Sequence, residues 1–235
     1  VNISASPFQV NRMDERLDII KDKSKDLKCY FIYCNLVGAQ DELVFDGQSC
    51  VVSPAGELVA LSPAFTEDIQ IIDIENCEPV IKPEFNEEKQ IFHALSLGVR
   101  DYFVKTGHEN AVLGLSGGID SALTTVIASD ALSAENILGI SMPSIYSSDH
   151  SIEDAKALAE NLGIDFQIIP IKKINEQMLD DLSPVLNGSP EGLAEENIQA
   201  RIRGNILMAA SNKKGALLLN TGNKTETALG YCTMY

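Results

Sequence analysis

Ala111-Val-Leu-Gly-Leu-Ser-Gly-Gly-Ile-Asp-Ser121 decides the reading of this chain: a short apolar run breaks at Ser116-Gly117-Gly118, and a helix-like segment, Ala122 to Ala131, follows at once. Two adjacent glycines let a backbone come close to a ligand. The helix that follows offers unpaired N–H groups and the positive end of its dipole to an anion. That combination describes a phosphate cradle. The common nucleotide loop needs Gly-x-x-x-x-Gly-Lys-Ser/Thr, and no Lys follows Gly118. Asp120 instead puts a carboxylate where phosphate would repel it, a repulsion most simply offset by a divalent cation, so Mg2+ with ATP is the expected ligand. The same residues also suit an ordinary strand-to-helix turn with Asp120 or Ser121 near the cap.

Outward from this loop the pattern is regular. Strands near 111–115, 137–142, 165–170 and 215–220 alternate with helices near 119–132, 149–163 and 192–212. Such alternation implies an α/β fold with a parallel, doubly wound sheet, whose ligands bind at the carboxyl ends of strands where chain order reverses. Ser116 to Ser121 sits at such an end. Upstream, Glu87 to Lys105 has helical spacing through Ile91, Leu95, Val99 and Phe103, and residues 76–86, with two prolines and no period, read as a linker. Residues 1–75 read as β-rich, with strands at 29–37, 49–53, 57–61 and 68–74 and a surface helix from Asp14 to Lys28. No internal repeat or low-complexity tract is visible.

Composition limits the partners. A hydrophobic content of 45% over 235 residues is ample for one large or two smaller cores. A formal charge of −16 disfavours extended contact with nucleic acid phosphates, because that binding is driven by Lys and Arg displacing counterions. Cys29, Cys34, Cys50, Cys77 and Cys232 show no Cys-x-x-Cys spacing, and His93, His108 and His150 are scattered; reduced thiols in a cytoplasmic compartment are expected, without a structural metal site. No apolar run approaches a membrane span and no signal peptide opens the chain, so no membrane partner is expected. A first residue Val1 and a last residue Tyr235 inside a motif-like stretch suggest a piece of a longer protein.

Further chemistry gathers at the other strand ends. Ser144, Ser147 and Ser148 crowd the end of the second strand, where capping the next helix accounts for at least one of them. In Glu195-Glu-Asn-Ile-Gln-Ala-Arg-Ile-Arg-Gly204, Ile198, Ile202 and Ile206 mark a buried seam, beside which Asn197, Arg201 and Asn205 form a polar stripe. The arginines there are either solvated or grip a carboxylate or phosphate. Ala216-Leu-Leu-Leu-Asn-Thr-Gly-Asn-Lys-Thr-Glu226 is again a strand ending at a helix start, with Glu226 either a capping acid or a second carboxylate projecting toward Asp120. Two carboxylates there could share Mg2+.

The loop resembles the pyrophosphate loop of the N-type ATP pyrophosphatases, a superfamily with a Rossmann-like adenine-nucleotide α-hydrolase fold. The acidic charge disfavours its tRNA-modifying members. Leu115 to Ser121, Met142 to Asp149 with Asp154-Ala155, Glu196 to Arg203 and Leu219 to Tyr231 resemble, in order, the motifs of the NAD synthetases. Ser4-Ala-Ser-Pro-Phe8 with Arg12, and Gly38 to Gly47, resemble the rear half of the α-β-β-α nitrilase-like glutaminase domain fused to the synthetase in the glutamine-dependent branch.

The resemblance implies a ligase that uses ATP to adenylate the nicotinate carboxylate of deamido-NAD, releases pyrophosphate, and lets ammonia from glutamine displace AMP. Carried over by position, it implies ATP contacts from Gly114, Leu115, Ser116, Gly117, Gly118, Ile119, Asp120, Ser121 and Thr221; Mg2+ at Asp120 and Glu226; deamido-NAD at Asn197, Arg201 and Glu226; and glutamine at Ser6 and Arg12. It also implies a homo-oligomer. The glutaminase Glu, Lys and Cys lie upstream in the family, so no residue here is assigned as a glutaminase catalyst, and the 235 residues alone are expected to be catalytically incomplete. Asn11 stands where the family often has Gly, which weakens the Arg12 assignment. Two alternatives stand beside this reading: another ATP-pyrophosphatase amidotransferase, and a nucleotide-binding module without catalysis.

Overall fold

Residues 1–84, 86–145, 147–186 and 192–230 are described by a computed structural model, in which the chain separates after Thr106 into two units. In the first, β1 (Asn2–Ser4) leads through Ser6-Pro7-Phe8 to α1 (Arg12–Leu27). Met13, Leu17 and Ile20 recur at three- and four-residue spacing and give α1 one buried face. Asn11 opens the helix at φ 62°, in the left-handed region that Asn tolerates better than most side chains, which is the physical reason a Gly also suits this position.

β2 (Phe31–Asn35), β3 (Val37–Gln40), β4 (Leu43–Asp46), β5 (Cys50–Val52) and β6 (Leu58–Leu61) follow. One sheet has the order β1-β2-β5-β6, with β1 parallel to β2 and the other pairs antiparallel. The apolar face of α1 packs on Tyr33, Cys50, Val52 and Leu58 of this sheet. β3 and β4 form a separate hairpin, against which α2 (Glu87–Thr106) lies. There Asp101 Oδ2 accepts the Ala39 N–H at 2.7 Å and Lys105 Nζ donates to the Ala39 carbonyl. α2 therefore packs with the first unit.

Residues 68–74 correct the sequence expectation of a strand. Among the described residues they pair with none, and Ile69 and Ile71 stand 94% and 99% exposed. β-branched residues favour an extended backbone, but a strand also needs a neighbour offering a ladder. Ile72 alone is tucked in, beside Val51, Val59 and Ala60.

The second unit alternates strand and helix except that two helices follow β9: β7 (Ala111–Gly114), α3 (Ile119–Ala131), β8 (Ile137–Ser141), α4 (Asp149–Leu162), β9 (Asp165–Ile168), α5 (Lys172–Leu186), α6 (Leu193–Lys214), β10 (Leu217–Leu219) and α7 (Lys224–Leu229). The four strands are parallel in the order β10-β7-β8-β9. β7 and β8 are covered on both faces and read as continuous apolar runs, as central parallel strands must. Val112, Leu138 and Ile140 face Ile198 and Ile202 of α6 and Leu179 and Leu182 of α5. By strand alternation Leu113 turns to the opposite face, where α3 and α4 pack together. Val112 and Leu113 are fully buried, each contributing about 1.5–3 kcal/mol. α5 is a helix without an expected counterpart from the sequence; its Pro184 lacks the N–H that would donate to the Asp180 carbonyl, and the helix runs only two residues further.

Candidate functional site at the strand ends

β8 and β9 extend the sheet on one side of β7 and β10 on the other, so chain order reverses between β7 and β10. The crevice outside the carboxyl ends of those two strands is where an open α/β sheet accepts ligands. A cavity of about 380 Å³ lies there, lined by Gly114, Leu115 and Ser116 after β7, by Ser141, Met142 and Pro143 after β8, by Ser147, Ser151 and Ile152 around the start of α4, by Ala200, Arg203, Gly204 and Leu207 of α6, and by Thr221 after β10. Hydroxyls and backbone groups occupy its rim, and Ile140, Met142, Ile152 and Leu207 give it apolar walls. Arg203 is the charged residue among these lining groups; its Nε donates to the Met142 carbonyl at 3.2 Å and so ties α6 to the end of β8.

The loop between β7 and α3 is shaped by its own side chains. Ser121 Oγ accepts the Ser116 N–H at 3.3 Å, donates to the Gly118 carbonyl at 2.9 Å and lies 3.0 Å from Ser116 Oγ, while Gly118 N–H donates to Ser116 Oγ at 3.2 Å. Ser121 is thus buried as the internal staple of the loop. Gly118 is the N-cap of α3, and Ile119, Asp120 and Ser121 form its first turn, where backbone N–H groups have no intrahelical acceptor. Gly117 holds φ 82°, and a Cβ there would collide with the backbone of Ser151, whose C and Cα lie 2.9 Å from that position. No residue but glycine fits.

Asp120 and Glu226 are brought together through one residue. Asn223 Nδ2 donates to Asp120 Oδ2 at 3.4 Å; Asn223 N–H donates to Glu226 Oε2 at 3.0 Å, and Glu226 N–H donates to Asn223 Oδ1 at 2.9 Å. Glu226 is therefore a capping acid of α7, linked to Asp120 through Asn223, and neither carboxylate lines the cavity itself. Asp120 is exposed, with that one contact at the edge of hydrogen-bond range. Two carboxylates flanking an anion cradle are a donor set that suits Mg2+, which is commonly held by one or two carboxylates plus phosphate oxygens.

Asn197 and Arg201 lie on α6, one half-buried and one exposed, and neither lines the cavity; the face of α6 that does is Ala200, Arg203, Gly204 and Leu207. In the first unit, Ser6 and Arg12 go separate ways. Arg12 is exposed and pairs with Glu15 at 2.8 Å. Ser6 Oγ instead accepts from Arg16 Nη2 at 3.3 Å, and Arg16 is buried against Asp46. Arg16 escaped the sequence reading, although its place three residues after Met13 and one before Leu17 puts it on the buried face of α1. Beside it, burial pushes the Cys50 thiol up to about 11, with the Arg16 charge pulling the other way. Cys29, Cys34 and Cys77 are also free thiols. Tyr146 and Cys232 lie outside the described residues.

The NAD synthase family matches residues 91–235 and the carbon-nitrogen hydrolase family residues 6–81. A glutamine-dependent NAD(+) synthetase from a Synechocystis strain is 48% identical over all of this chain and 43% of its own length; one from Thermotoga maritima is 43% identical over all of this chain and 47% of its own. The solved structure of a glutamine-dependent NAD+ synthetase from Acinetobacter baumannii in complex with ADP superposes with a TM-score of 0.91 at 39% identity, covering 99% of this chain and 46% of that one. The chain thus spans about half the length of the curated relatives it matches. With a cleft at its strand ends, a carbon-nitrogen hydrolase segment ahead of it and relatives aligned along its full length, the chain belongs to the NAD synthase family and aligns throughout with its glutamine-dependent members.

Proposed function

We propose that the polypeptide carrying this chain makes NAD from deamido-NAD, with ATP as activator and glutamine as the source of ammonia. The observation that carries the reading is the cleft at the β7/β10 crossover, where Gly114 to Ser116, Arg203, Gly204 and Thr221 line a cavity of nucleoside size and the Gly117-Gly118 turn and the first turn of α3 follow directly on Ser116. Residues 1–75 would belong to the glutaminase domain, residues 76–86 would be the link, and the synthase domain would run from residue 87.

A carboxylate is a poor acceptor for ammonia until one of its oxygens becomes a leaving group, and adenylation supplies that. The cleft's share of the work is positioning and charge neutralisation. In this reading Ile140, Met142, Ile152 and Leu207 sandwich the adenine ring, and Thr221 and the backbone from Gly114 to Ser116 orient the nucleoside. The amides of Gly117 and of the first turn of α3 hold the pyrophosphate as it departs. Asp120 and Glu226 would hold Mg2+, which when bound neutralises phosphate charge. Asn197 and Arg201 would meet deamido-NAD outside the ATP cavity, with Arg203 bracing α6 between them and β8. Ser6 and Arg12 would contact glutamine. We infer a cytoplasmic homo-oligomer from the same resemblance; among the described residues no helix is long and apolar enough to cross a membrane.

The complete polypeptide, given deamido-NAD and Mg-ATP, should form NAD, AMP and pyrophosphate with either glutamine or ammonium. Absence of turnover with both nitrogen donors would remove the proposal. Turnover with ammonium alone would remove its glutaminase half.

A further inference from the structure

Ser6 is held on three sides. Its N–H donates to Asn35 Oδ1 at 2.9 Å, its carbonyl accepts from Asn35 Nδ2 at 3.2 Å, and its hydroxyl oxygen accepts from Arg16 Nη2 at 3.3 Å. One side-chain amide thus pairs with both polar groups of the Ser6 backbone, as a neighbouring strand would. The hub behind it is Asp46, 1% exposed at the end of β4. Its Oδ1 accepts from Arg16 Nη2 and Asn35 Nδ2, each at 3.2 Å, and its Oδ2 from Arg16 Nη1 at 3.3 Å and Gln48 Nε2 at 2.7 Å. Four donors on one carboxylate leave it fully satisfied, and the planar guanidinium fork fixes Arg16 in one orientation. Arg16 of α1 and Asn35 of β2 therefore hold a single residue of the segment between β1 and α1, and Asp46 at the end of β4 holds both of them.

The polarity of that contact matters. Arg16 is donor only, so the lone pair of Ser6 Oγ that it engages forces the hydroxyl proton away from the guanidinium. Ser6, half-buried, is left as a hydrogen-bond donor directed out of the network, suited to an acceptor oxygen. Glutamine presents such oxygens in its carboxylate and its side-chain amide.

We propose that Arg16 and Asp46 are positioning residues for glutamine: without touching it, they fix the place of Ser6 and the direction of its O–H toward a substrate oxygen. This rests on the reading of Ser6 as a glutamine contact given above.

The test uses the complete polypeptide and two variants. Arg16→Lys keeps a buried cation beside Asp46 but has no fork to span Asp46 and Ser6 together. The pair Arg16→Met with Asp46→Leu replaces both charges by aliphatic volume, a change that is often neutral for stability. For both, the KM for glutamine should rise about tenfold or more, since small misplacements of a contact are costly, while the ammonium-dependent rate and its ATP dependence stay within about twofold of wild type. A KM for glutamine within about twofold of wild type in both variants, or a parallel fall of the glutamine and ammonium rates, would overturn the proposal. So would loss of the folded state in both, seen as a lost thermal transition, which assigns the pair to stability alone. A wild-type protein active with ammonium and inert with glutamine would instead remove the glutaminase reading underneath, and this inference with it.

Discussion

Asp46 and Asp120 are both aspartates near the end of a β-strand, and the two units use them in opposite ways. Asp46 accepts four hydrogen bonds inside a closed cluster, whereas Asp120 is exposed with one long contact from Asn223. A buried carboxylate survives only when its own protein satisfies it, so Asp46 has no capacity left for a ligand and serves to hold other residues. Asp120, in a first helical turn whose amides have no intrahelical acceptor, has its coordination free for what arrives from outside. A carboxylate saturated from within marks the positioning network, and unspent polar capacity at a strand end marks the binding cleft.

The contrast breaks most visibly at Asp46. Asp46→Ala leaves Arg16 buried and uncompensated, and such a loss costs about 3–5 kcal/mol. Urea unfolding followed by circular dichroism should show a midpoint lowered accordingly. A midpoint unchanged from wild type would mean that the cluster is wetter than its geometry implies.

At the cleft the sharpest break is Gly117→Ala. A side chain forced to φ 82° costs about 1–2 kcal/mol in backbone terms alone, and the Ser151 backbone stands in the way of the added carbon. The turn must then move, carrying the amides with it. ATP affinity, measured by calorimetry, should fall at least about tenfold, the equivalent of about 1.4 kcal/mol. Affinity unchanged within error would detach the turn from nucleotide binding.

Asp120→Asn tests the same site more gently. It keeps a partner for Asn223 and removes one negative charge from an exposed side chain, so the thermal midpoint should barely move. ATP affinity should fall about tenfold in magnesium and hardly at all after chelation. Equal losses in both conditions would return Asp120 to the role of a helix-start residue.

The strand-loop-helix at 111–121 was legible because its determinants are local: an apolar run, two glycines and the start of a helix lie within eleven residues. What sequence could not supply were the partners. Gly117 needs its missing side chain because of Ser151, which only the fold brings close. Arg16 carries no signal of its own in the sequence because its burial is decided by Asp46, thirty residues away. In the reverse sense, residues 68–74 carry strand propensity and yet have no ladder among the described residues. Asn197 and Arg201 were rightly read as a polar stripe on α6, but the helical turn that meets the cavity is set by Ala200, Arg203 and Gly204, a phase that the seam of isoleucines alone left open.

Cys50 gives the smallest effect and the finest probe of the closed cluster. It packs on α1 beside Arg16, where burial raises the thiol from an ordinary 9.0 to about 11 against the pull of the guanidinium. The unfolded chain loses this proton near pH 9 and the folded chain only near 11, so the folded state holds more protons in between. The contribution to stability is complete below pH 9 and is lost as pH rises through 11; around neutrality no pH dependence arises from this group. At pH 8 a maleimide should therefore label the exposed Cys29 and Cys34 readily and Cys50 hardly at all, as read by peptide mass mapping. Labelling of Cys50 at the rate of Cys29 would mean that the interior around Arg16 and Asp46 opens to solvent, and a network that opens cannot hold Ser6 in one place.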